Sequence, residues 1–127
     1  MTIWTDAELP VYVNGVLLSR RLISDDTGTA ITQASVSSIK LSVYTLGYDD
    51  AGNVKRTAVT GFNEVDLTVS DVIYSTVQQD ADSVKYNFRY CVENAFTIPN
   101  QRYCVEYKLS MADNHTVVIP IYVRTLD

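Results

Sequence analysis

Strict two-residue alternation is the feature that most constrains this chain. Val84, Tyr86, Phe88 and Tyr90 alternate with Lys85, Asn87 and Arg89, ending at Cys91. From Arg102 to Met111 the apolar set is Tyr103, Val105, Tyr107, Leu109 and Met111. Ile39, Leu41 and Val43 alternate in the same way with Lys40, Ser42 and Tyr44. A period of two in β-branched and aromatic residues marks strands with one face buried. A helix would scatter these apolar sets around its circumference.

The alternation also predicts partners. If Val84–Cys91 runs antiparallel to Arg102–Met111 with Cys91 opposite Cys104, then Tyr90 meets Val105, Phe88 meets Tyr107, Tyr86 meets Leu109 and Val84 meets Met111. On the other face Arg89 meets Glu106. Each such pair stabilises a sheet by roughly 0.2–1 kcal/mol. A slip of one residue turns an apolar set outward, whereas a slip of two preserves the match. A turn at Asp113-Asn114-His115 leads into a third strand, Thr116–Thr125. A three-residue loop there pairs Met111 with Val117, Leu109 with Ile119, Tyr107 with Ile121 and Val105 with Val123. Pro120 then faces outward opposite Lys108, and its missing N–H points to an edge strand or a bulge.

Elsewhere, Val11-Tyr12-Val13, Asn14-Gly15 and Val16-Leu17-Leu18 read as a hairpin, with Leu17–Ile23 continuing as a core strand. Residues 24–35 read as a loop, and Asp49-Asp50-Ala51-Gly52-Asn53 as a hairpin turn into Val54–Val59. Phe62–Thr68 reads as a short strand. Ser70 is positioned to cap a short helix reaching Val77, with Asp71 near its positive end. Phe96 and Ile98, in the connection between the first two meander strands, are expected to fold back onto the core. About seven to eight strands, with turns every ten or so residues, indicate an all-β sandwich or barrel with one short helix. The organisation expected is an N-terminal arm or hairpin over 1–18 and a single β-sandwich domain over 19–127. At 127 residues the chain suits one domain with its own core.

Little points to chemistry. The net charge of −5 is spread along the chain and no basic stripe suggests nucleic acid. No segment has the length of apolar chain that crosses a membrane as a helix. Met1–Asp6 has neither a basic nor an apolar signal region, so synthesis in a cytosol is expected. The two cysteines, Cys91 and Cys104, would be cross-strand neighbours in the antiparallel register, where a disulfide is possible but strained, and in a cytosol they are expected to stay reduced. With the single histidine they are too few for a structural zinc site. His115 stands some eleven residues from Cys104, which at roughly 3.3 Å per residue is too far for a nucleophile and its base. Asp25-Asp26-Thr27-Gly28 and Asp49–Asn53 lack the ligand count and spacing of a calcium loop. Glu64 and Asp66 carry the spacing of a solvated strand face more than that of a glycosidase pair. No cofactor and no metal is expected. Tyr44, Tyr48, Tyr122 and Trp4 suit a sugar- or protein-contact surface.

Several stretches carry a resemblance. Ser37-Ser38-Ile39, Leu67-Thr68-Val69-Ser70-Asp71-Val72-Ile73, Tyr86-Asn87-Phe88-Arg89, Phe96, Tyr103-Cys104-Val105-Glu106-Tyr107-Lys108 and a final aliphatic strand follow one another in this order. Over residues 36–125 the chain resembles small virion structural proteins of tailed bacteriophages and prophages. The resemblance implies an immunoglobulin-like sandwich of the capsid decoration or cement type, assembled in the host cytoplasm into the virion. It implies many copies bound to the major capsid protein or other virion proteins, with no nucleic acid or membrane partner and no catalysis. Neck, tail or baseplate adaptors belong to the same group. A carbohydrate-binding or adhesion module is the alternative from another class. Trp4, Tyr12, Pro120 and Tyr122 are the candidate partner-binding residues; none is catalytic or cofactor-binding.

Overall fold

The computed structural model describes residues 7–10, 15–22, 30–79 and 85–126. Nine strands are found among them: β1 Ala7–Pro10, β2 Gly15–Arg20, β3 Val36–Tyr48, β4 Val54–Ala58, β5 Val65–Leu67, β6 Ile73–Gln79, β7 Lys85–Glu93, β8 Arg102–Met111 and β9 Thr116–Leu126. The single α-helix among the described residues, α1, is one turn at Val69–Val72. The larger sheet runs β1-β9-β8-β3-β4, with β5 also on the β3 edge; the smaller runs β2-β7-β6. All neighbours are antiparallel except β1 and β9.

This is an all-β sandwich of immunoglobulin-like topology. Taking β2 as strand B, the small sheet holds B, E and D, while C, C′, F and G share the large one, as in variable-type domains. The connection between β7 and β8 carries the corner found in such domains. The Tyr103 hydroxyl, at the start of β8, accepts a bond from the Ile98 N–H at 3.1 Å. Thr125 secures the same connection from β9, donating to the Ile98 carbonyl and accepting from the Gln101 N–H at 2.9 Å. Val105 stands two residues beyond Tyr103, where antibody domains place a core cysteine, and it is fully buried.

The core forms where the inward rows of the two sheets meet. Ile39, Leu41 and Val43 from β3, Tyr103, Val105, Tyr107 and Leu109 from β8, and Ile121 and Val123 from β9 pack against Phe88 and Val92 of β7. Phe88 meets Tyr107 edge-to-face at 4.7 Å between ring centres, and Phe96 meets Tyr103 at 5.1 Å. Such aromatic pairs add about 0.5–1.5 kcal/mol beyond the area they bury. Phe96 therefore folds onto the core as expected, but Ile98 is exposed. Asn87 is wholly buried. Its side chain accepts from the Leu22 N–H at 2.6 Å and donates to the Leu22 and Ile31 carbonyls at 2.9 Å. That clamp holds residues 22 and 31 against β7.

Several sequence expectations change. β7 and β8 are not neighbours: β7 pairs with β2 and β6, whereas β8 pairs with β3 and β9. Phe88 and Tyr107 do meet, but across the sandwich. Cys91 and Cys104 consequently lie in different sheets, and no disulfide joins them. Glu106 pairs with Arg56, and Arg89 lies over the Tyr86 ring. The β8–β9 loop has three residues, but these are Ala112-Asp113-Asn114, closed by the Met111 N–H bonding the His115 carbonyl. Asn114 takes the left-handed conformation, φ 71°, that a three-residue hairpin places at its third position. The pairing is therefore Leu109 with Val117 and Tyr107 with Ile119, and Pro120 falls opposite Glu106.

Residues 11–14, which hold the first strand of the expected hairpin and the start of its turn, lie outside the described residues. Ala7–Pro10 and Gly15–Arg20 pair in opposite sheets, so the described parts of the expected arm are strands of the sandwich. α1 stops at Val72, and Ile73–Gln79 is extended. Val72, Ile73, Tyr74, Thr76 and Val77 are β-branched or aromatic, and this composition favours strand over helix.

Candidate interaction surface

The outer face of the larger sheet is the most distinctive surface among the described residues. Cross-strand register brings Tyr44, Cys104 and Tyr122 into one outward row. Ser42, Glu106 and Pro120 form the next row on one side, and Leu46, Arg102 and Arg124 the next on the other. β4 completes the face. Its tight hairpin to β3 has Gly52 at φ 82°, and the Asp49 carboxylate accepts the Ala51 and Asn53 N–H groups at 2.9 Å. The Asp49 carboxylate thus serves the backbone of its own turn.

Register then sets Arg56 beside this face. Its guanidinium lies 4.1 Å from the centre of the Tyr44 ring, bonds the Glu106 carboxylate and approaches the Cys104 sulfur at 4.0 Å. Burial alone would lower the Arg56 pKa, but the hydrogen bond and charge of Glu106 outweigh it and raise the value. Cys104 is only 2% exposed although it points away from the core. Glu64 and Asp66 are engaged by Lys108 and Lys40, at 3.3 and 3.4 Å.

Of the candidate contact residues, Pro120 and Tyr122 fall on this face, whereas Trp4 and Tyr12 lie outside the described residues. Tyr44 joins Tyr122 in one row; Tyr48 is exposed at the β3 end of the hairpin. Sequence reasoning missed Arg56, Arg102 and Arg124. Their alternation within β4, β8 and β9 shows that they face outward. Only the strand register shows that they cluster.

A groove of about 540 Å³ opens on the side of the sandwich. It exists because α1 carries the chain between sheets and β6 first meets β7 at Phe88, leaving Arg89–Glu93 unpaired by β6. Leu41, Phe62 and Val65 line one wall and Tyr90, Cys91 and Val92 the other. Burial, and then the nearby Glu93 carboxylate, raise the Cys91 thiol's pKa, which disfavours the reactive thiolate. His115 sits at the β8–β9 hairpin, 3.0 Å from the Asp113 carboxylate. Among the described residues no three His, Cys, Asp or Glu side chains gather as metal ligands, and no helix is long and apolar enough to cross a membrane. No protein-family model, curated protein or solved structure matches the chain.

Proposed function

We propose that this protein is a structural component of a tailed-phage particle, and within that class a decoration or cement protein. It stabilises the capsid by contact with the major capsid protein or its neighbours. The observation that carries a contact role is the outer face of the larger sheet. Tyr44, Tyr122, Arg56, Arg102 and Arg124 gather there around Cys104 and Leu46, and tyrosine and arginine are the residue types enriched at protein interfaces. The phage assignment rests on the resemblance. Its two most specific stretches have structural work in this fold: Asn87 and Phe88 in the first, Tyr103, Val105 and Tyr107 in the second. A cement role is favoured over an adaptor because residues 7–10 and 15–20 are held within the sheets and do not project. Many weak contacts on one shell then act together through multivalency.

Quantitative mass spectrometry of purified particles tests this reading. Copy number in simple proportion to the major capsid protein is expected of cement. A count typical of a single ring at one vertex would replace it with a neck, tail or baseplate role. Absence from particles would remove both.

A further inference from the structure

One end of the outer face has an arrangement that its own fold does not explain. Arg102 and Arg124 are directly opposite each other on β8 and β9, and the next residue across is Leu46, which is uncharged. Like charges placed directly opposite across strands disfavour the sheet. The other three cations of this face each have a carboxylate: Arg56 has Glu106, Lys40 has Asp66 and Lys108 has Glu64. Among the described residues neither Arg102 nor Arg124 makes an ion pair. Register places Glu8 of β1 opposite Arg124, so among the described residues two arginines stand in this row with one acidic residue. Half of the chain's ten lysines and arginines thus lie on one face of a molecule with fifteen acidic residues.

We infer that the Arg102–Arg124 end of this face, with Tyr44 and Tyr122 beside it, docks a carboxylate-rich surface of a different protein. The inference rests on the contact role proposed above but not on a place in a virion. Charge complementarity selects the occupant. Two guanidinium groups side by side present planar donor forks that match carboxylates, and a partner's Asp or Glu removes the repulsion between them. A second copy laid face to face would set arginines against arginines. A nucleic-acid strand needs a continuous cationic track, and here Glu106, Asp66 and Glu64 interrupt the face.

The test is an NMR titration of the isotope-labelled full chain with a short oligoglutamate peptide, with oligothymidylate as a parallel probe. Expected are amide shifts confined to residues 44–46, 102–104 and 122–124, fading as salt is added. The double variant Arg102→Gln/Arg124→Gln should weaken the response roughly tenfold or more, the loss expected for a charge-assisted contact. Lys40→Gln should leave it unchanged. The double variant's thermal midpoint should equal or exceed that of the parent, since the pair is repulsive in the free chain. No shift, shifts elsewhere, an unaltered response in the double variant, a fall in its midpoint, or tighter binding of oligothymidylate would each overturn the inference. Such a failure leaves the copy-number test standing, and failure of the copy-number test leaves this site standing.

Discussion

The two faces of β8 are built on opposite principles. Inward, Tyr103, Val105, Tyr107 and Leu109 are essentially inaccessible to solvent and interlock with Phe88 and the β3 and β9 rows. Outward, Arg102, Cys104, Glu106 and Lys108 form a polar row in which one thiol is buried, two charges are paired and one arginine faces another. Among the described residues the inner face is satisfied, apart from the Tyr107 hydroxyl. The outer face is left electrostatically incomplete. A strand with this asymmetry shows where the fold is secured and where a partner has something to add.

The largest expected break in the contrast is on the inner side. Phe88→Ala removes the ring that packs on Tyr107 and leaves a cavity, so denaturant unfolding should show a loss of about 3–5 kcal/mol. Next comes Asn87→Ala. It strands the Leu22 N–H and two carbonyls in a buried setting, with an expected loss of about 2 kcal/mol or more. Hydrogen exchange should then rise at Leu22 and Ile31 before it rises in β8.

Tyr107→Phe sharpens the contrast from the other direction. The Tyr107 hydroxyl is buried with no hydrogen-bond partner among the described residues. Removing it should leave stability unchanged or raise it by about 1 kcal/mol. Burial, and then the nearby Tyr90 and Cys91, raise this phenol's pKa above its ordinary value near 10. The folded state therefore favours the protonated phenol. Its contribution is complete below that ordinary value and is lost as pH rises from there towards the folded pKa. Alkaline unfolding curves should consequently be shallower for Tyr107→Phe than for the parent. The smallest effect belongs to the outer face: Arg102→Gln should change stability by less than about 0.5 kcal/mol, and in the stabilising direction.

Much of the inner face was legible in the sequence because alternation is a local property. β8 spans Arg102–Met111 as its pattern predicts, and Ile39, Leu41 and Val43 point inward as theirs predicts. Partner choice was not legible. Apolar sets match equally well whether strands lie side by side or face each other between sheets, so Phe88 and Tyr107 fit both arrangements. The match of Arg89 with Glu106 was a coincidence of spacing. The hairpin register hung on one residue: a left-handed Asn114 moves the loop by one position and every β9 partner by two. The outer cluster was hidden for the same reason. Arg56, Arg102 and Arg124 are far apart in the chain and become neighbours only once β4, β8 and β9 are laid in register.

Hydroxyl-radical footprinting, comparing the free chain with the chain in purified particles, tests most directly whether the outer face of the larger sheet is the working surface. Protection of Tyr44 and Tyr122 on assembly, with Tyr74 beside the lateral groove oxidised as before, is the predicted result. Protection centred on Tyr74, or none at either tyrosine of the outer row, would contradict it.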